Sequence, residues 1–325
     1  MKKCRRFLII ANETKDIDLK WSKHIEALIK SRLDIDDSLA AAQLPDEKEN
    51  ESEGKAYFCL VSGSNVDALI EKLEVEFERV DVVIVMGGDG TMLRVSHALG
   101  GRDIPVIGVN LGTVGFLTEV AVENIDSMVD RLISGDYEIE ERMMLDGHIV
   151  KQKADRPLTK NSDGFASSEK QGKDICLRAL NEVVFARENN LRLIAVKIFV
   201  NGRYFDTCEA DGILVATPTG STGYNLSAGG PIVKPDARLM VLTPISPFSL
   251  SRRSVIFGAD DKITMELLEK RQDAPNTAMV TSDGADNISM TVGDRVEIEV
   301  SDSKLSLIRL THTGMFDNLR RKLER

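Results

Sequence analysis

Asp89 stands among Gly87, Gly88, Gly90 and Thr91, in the stretch DVVIVMGGDGTML spanning 81–93. Glycines let a backbone approach a ligand closely, and a helix that opens after them presents free N–H groups and partial positive charge to phosphates. A carboxylate inside such a loop can orient a hydroxyl or take its proton. The pattern is neither common nucleotide fingerprint: GxxxxGK[ST] is absent, and no third glycine follows Gly90 at the GxGxxG spacing. Gly and Asp also build ordinary turns. A second dense stretch, TPTGSTGYNLSAGGP at 217–231, supplies the hydroxyls of Thr219 and Thr222, the backbone of Gly223 and the ring of Tyr224. Such groups can hydrogen-bond sugar hydroxyls and stack on a base, although a Gly/Ser/Thr-rich turn has the same composition. Asn181-Glu182 interrupts the apolar run LRALNEVVFAR, and a polar pair there marks a bulge, a strand end or a site.

The elements that must position these residues follow from hydrophobic patterning. Val82 to Met86 is a continuous apolar run bounded by glycines, the pattern of a buried parallel strand, and Thr91 to Leu99 has helical spacing up to Gly100-Gly101. In open α/β sheets, ligands sit outside the carboxyl ends of the strands. Strands are expected at 5–12, 57–61 and 104–109, and helices at 16–31, 65–77 and 123–134, so the first third alternates as a parallel α/β domain. After Tyr137 strands dominate: 138–144, 147–152, 174–184, 193–200, 213–216, 262–267, 289–290 and 295–300, with Asn201-Gly202 as a hairpin turn. An amphipathic helix is expected at 315–323, and 34–55 and 155–173 read as polar loops. The expected fold is an α/β N-terminal domain over 1–121, completed by about 310–325, with a β-rich second domain over 122–309.

Composition narrows the function classes. The chain has 325 residues, 42% hydrophobic and 29% charged, with ample material for a core. A net charge of −10 argues against a broad nucleic-acid surface, though a nucleotide site needs only a few local donors. The four cysteines are scattered without a CxxC, and the four histidines form no metal-type pair, so the metal ligands are unassigned. The apolar run at 7–11 is too short for a signal segment or a membrane span, and a cytoplasmic protein without a membrane partner is expected.

Together, GGDGT at 87–91, GVNLGTVGFL at 108–117, Asn181-Glu182, Asp211-Gly212 and TPTGSTGYNLSAGGP at 217–231 resemble the NAD kinase family, in that family's order. GGDGT is shared with lipid kinases and phosphofructokinases; its combination with the second stretch is specific. PISPFSLSRR at 244–253 is similar to the family's PICPHSLSxR, departing with Ser246 for Cys and Phe248 for His. The resemblance implies transfer of the γ-phosphate of ATP, with Mg²⁺ or another divalent cation, to the 2′-hydroxyl of the adenosine ribose of NAD. It implies that Asp89 is the general base or orienter and that Gly87, Gly88, Gly90 and Thr91 cradle phosphates. Phe116 would lie against the adenine part of NAD. Asn181, Glu182 and Asp211 would make the ribose and nicotinamide-side contacts, and Thr219, Thr222, Gly223 and Tyr224 would frame the nucleoside. It also implies a homodimer or homotetramer. The alternatives at this point are an inactive NAD-binding sensor and a GGDGT-type lipid kinase relative.

Overall fold

The computed structural model describes residues 3–33, 57–63, 80–112, 115–152, 175–188, 192–269, 277–310 and 320. The expected loops at 34–55 and 155–173 and the expected helices at 65–77 and 315–323 lie outside these residues, apart from Arg320.

In chain order the elements are β1 (Arg6–Asn12), α1 (Lys20–Leu33), β2 (Tyr57–Gly63), β3 (Val82–Gly87), α2 (Asp89–Leu99), β4 (Val106–Asn110), β5 (Val120–Ala121), α3 (Ile125–Ser134) and β6 (Glu138–Val150). They continue with β7 (Ile175–Ala179), β8 (Glu182–Arg187), β9 (Ile194–Val200), β10 (Arg203–Ala210), β11 (Gly212–Ala216) and α4 (Tyr224–Ser227). The last are β12 (Leu239–Ile245), β13 (Val255–Gly258), β14 (Ile263–Leu267), β15 (Ala278–Ser282), β16 (Ala285–Met290) and β17 (Arg295–Arg309). They form two compact units: 1–142 with 303–325, and 143–302.

In the first unit β4, β3, β1 and β2 are parallel neighbours in that order, with Phe7 opposite Val82 and Val83 opposite Val106. Every residue of β3 is buried, which is why its sequence is apolar without alternation. Asp16 caps α1 by accepting from the backbone N–H groups of Trp21 and Ser22, both at 2.9 Å. The amphipathic face of α3 buries Ile125, Met128, Val129 and Leu132 in the same core as Phe7, Ile84 and Val109. For that reason the chain up to Arg142 groups with the first unit, whereas the sequence suggested a boundary after 121. The end of β17 pairs parallel with β4 through Leu307 and Val106. It is fastened by Arg309, whose guanidinium pairs with Glu119 at 3.0 Å and with Glu140. These residues carry the return of β17 to the first unit.

The second unit contains a six-stranded antiparallel sheet in the order β13-β12-β11-β8-β15-β16 and a second group, β10-β9-β14 with the start of β17. Their inner faces share a core that includes Phe185, Val196, Ile213, Met240, Ile263 and Val280. Asn201 and Gly202, with φ of 52° and 75°, make the two-residue turn between β9 and β10. Two expected strand boundaries are redrawn. The stretches 138–144 and 147–152 are one strand, β6, because Gly147 keeps its pairing to Leu177 on β7. The stretch 174–184 is two strands, β7 and β8, broken at Leu180-Asn181.

Candidate functional site

The sequence-predicted residues fall into two groups, each inside one unit. In the first, Gly87 ends β3 and Gly88 is the cap residue before α2. Asp89 is therefore the first residue of α2 rather than the middle of a loop, two residues before the expected start of the helix. The first N–H groups of a helix lack intrahelical partners, so Gly88, Asp89 and Gly90 bring donors to this edge of the sheet. The Asp89 carboxylate accepts from the backbone N–H groups of Phe116, at 2.9 Å, and Leu117, at 3.0 Å. The loop after β4 is thereby held against the start of α2. Gly115 makes the approach possible: a Cβ there would lie 1.9 Å from Asp89 Oδ1. Each carboxylate oxygen retains a further acceptor direction. Thr91 is buried and packs beneath Gly87, and Phe116 is half-buried.

The second group surrounds the break between β7 and β8. The carboxylate of Asp283, in the turn between β15 and β16, accepts from the backbone N–H groups of Leu180 at 2.7 Å, Asn181 at 2.8 Å and Glu182 at 3.0 Å. Three donors on one carboxylate fix the polar break that the apolar strand pattern could not. Thr217 closes on the same turn: its N–H reaches the Asn181 carbonyl at 2.8 Å and its hydroxyl reaches the Leu180 carbonyl at 2.6 Å. Gly220 packs so closely that a Cβ would lie 2.1 Å from the Asn181 carbonyl oxygen. Glu182 is only 7% exposed, and its Oε2 has no hydrogen-bond partner among the described residues. Burial pushes its carboxyl up to about 8, Asp283 adds to the rise, and the Tyr224 backbone N–H opposes it. Gly223 borders this carboxyl: a Cβ there would lie 3.2 Å from Oε2.

Part of the hydroxyl density in 217–231 holds the loop together. Ser221 donates to the Pro218 carbonyl at 2.6 Å and accepts from Val233 N–H at 3.0 Å. Asn225 spans the Ser221 and Pro231 carbonyls and accepts from Thr243. Thr222 donates to the Thr219 carbonyl at 3.2 Å, and the Tyr224 side chain is exposed. Asp211 stands apart from the Glu182 cluster. It pairs with Arg187 at 2.9 Å, and β11 separates it from Thr217, roughly 15–20 Å at the usual rise per residue. Gly115 lay in the 108–117 motif without an assigned role, and Asp283 and Lys15, whose ammonium lies beside Gly88, were not singled out by the sequence. The available signal for Asp283 was a hairpin Asp-Gly, which reports the turn and not the carboxylate's second task.

Among the described residues, no group of three or more His, Cys, Asp or Glu side chains could hold a metal ion, and no helix is long and apolar enough to cross a membrane.

Comparison with known proteins shows the family. Residues 7–137 match the ATP-NAD kinase N-terminal domain, and residues 180–310 match the ATP-NAD kinase C-terminal domain. An NAD kinase of Agathobacter rectalis is 33% identical over 325 residues, covering 98% of each chain. One of Lachnospira eligens is 38% identical over 252 residues, covering 75% of this chain and 80% of its own. Among solved structures, yeast NADH kinase complexed with NADH superposes with a TM-score of 0.75 at 22% identity, covering 99% of this chain and 88% of that one. An NAD kinase from Archaeoglobus fulgidus in complex with ATP gives 0.67 at 24%, covering 98% of each. These two share the fold. With a GGDGT turn tied to 115–117, an Asn-Glu strand break bound to the TPTGSTG loop, and relatives matching most of its length, this chain belongs to the NAD kinase family.

Proposed function

We propose that this chain transfers the γ-phosphate of ATP to the 2′-hydroxyl of the adenosine ribose of NAD, giving NADP. The observation that carries the reading is the Asp89 carboxylate at the start of α2, oriented by the N–H groups of Phe116 and Leu117. Phosphoryl transfer needs positioning and charge neutralisation more than covalent chemistry. Asp89 uses a remaining acceptor direction to orient the hydroxyl and take its proton. The N–H groups at Gly88 and Gly90 hold phosphate oxygens, and Thr91, whose own N–H donates to the Gly88 carbonyl at 3.0 Å, shapes the turn that presents them. Phe116, tethered through Asp89, lies against the adenine. A divalent cation such as Mg²⁺ would be held with the donor's phosphates, with Asp89 as the carboxylate present in this turn, and would supply charge neutralisation.

In the second unit, the buried Glu182 carboxyl has an oxygen without a partner among the described residues, which suits a ribose hydroxyl. Asn181 and the Thr219, Thr222, Gly223 and Tyr224 edge frame the nucleoside. Asp211 is assigned the nicotinamide side, a strand's length from Glu182, as an extended dinucleotide would require. Homodimer or homotetramer formation is supported by the exposed Phe248, Leu250 and Ile256.

The test is incubation of the purified protein with ATP, Mg²⁺ and NAD. Product is read by an NADP-specific dehydrogenase, and the phosphate position by phosphorus NMR. NADP bearing a 2′-phosphate is expected. Binding of NAD with no product would indicate a sensor without turnover.

A further inference from the structure

The carboxyl edge of the first unit's sheet carries a cation that neither the motif nor the mechanism above uses. β1 and β3 are adjacent and parallel, with Ala11 opposite Met86, so the turn that follows β1 lies beside the GGDG turn that follows β3. Asn12 shapes that turn. Its carbonyl accepts from the N–H groups of Lys15 and Asp16, both at 2.9 Å. Its side chain accepts from the Thr14 N–H at 3.1 Å and the Thr14 hydroxyl at 2.7 Å. The result brings the Lys15 ammonium to 2.8 Å from the point a Gly88 Cβ would occupy. No carboxylate pairs with Lys15 among the described residues, although the chain as a whole is acidic. A solvated lysine held across the glycine that caps a phosphate-type helix start is a point charge in position for an anion.

We propose that Lys15 contacts the phosphate chain of the nucleotide donor where it passes Gly88. The proposal rests on the phosphotransferase reading above. A side chain at Gly88 would displace the ammonium.

The test compares wild type with K15M and K15R. Lys15 is exposed, so its removal leaves the core intact. ATP binding with Mg²⁺ is measured by calorimetry, which needs no turnover, and kcat/KM is measured separately for ATP and NAD. A charge-assisted contact at an exposed position predicts about a tenfold loss in ATP affinity and in kcat/KM for ATP with K15M. K15R should recover most of it, and KM for NAD should move by less than about twofold. Unchanged ATP affinity in K15M, or a loss that falls on NAD instead, would overturn the proposal. If the wild type makes no NADP, the phosphotransferase reading fails, and the calorimetric comparison still decides whether Lys15 binds the triphosphate.

Discussion

Glu182→Gln should make the protein's stability less dependent on pH. The Glu182 carboxyl is buried, faces Asp283, and is pushed up from 4.5 to about 8. Between those values the unfolded chain has released its proton and the folded chain retains it. Folding stability therefore falls as pH rises, by about 1.4 kcal/mol per pH unit, and levels off above about 8. Glutamine has the shape of the neutral acid and does not titrate. From pH 5 to pH 7.5 the variant should gain about 3 kcal/mol relative to wild type. For a chain of 325 residues that is roughly 4–5 °C in Tm. Thermal unfolding without nucleotide, at half-unit pH steps, measures the divergence. Parallel curves for the two proteins would refute the reasoning, because they would mean that Glu182 is ionised in the folded state. A gain by wild type with rising pH would refute its sign.

Other perturbations probe the supports of the two clusters. Gly115→Ala puts a methyl carbon 1.9 Å from the present position of Asp89 Oδ1. It should lower kcat by about 10²-fold through displacement of the carboxylate, read in the coupled NADP assay. Asp283→Ala strands three backbone N–H groups at Leu180, Asn181 and Glu182. It should destabilise by about 2–4 kcal/mol in urea unfolding and raise the KM for NAD.

Much of this was legible in the sequence because burial leaves a periodic trace. The apolar run of β3, the helical spacing of α2 and the Asn201-Gly202 hairpin each had a local cause, and each formed. The misread boundaries had non-local causes. Asp89 joins the helix because Gly88, not Asp89, is the cap residue. The strand at 174–184 breaks because a carboxylate a hundred residues away gathers its N–H groups. The helix at 125–134 belongs with the first unit because its apolar face packs against β1, β3 and β4, a partnership that the sequence does not encode locally. The hydroxyls of 217–231 looked like ligand groups, yet Thr217 and Ser221 spend theirs on neighbouring carbonyls. Lys15 was invisible because its importance lies in the adjacency of β1 and β3, which no spacing between residues 15 and 88 reveals.

Asp89 has two possible tasks, and one measurement separates them: kcat for NADP formation by Asp89→Asn beside wild type, with the NAD dissociation constant of each. An asparagine cannot take the proton, so the account predicts a loss in kcat of roughly 10²–10⁴, with NAD affinity changed only a few-fold. A variant with near wild-type kcat would contradict the account. If it also bound NAD more weakly, Asp89 would be reduced to a tether for Phe116 and Leu117.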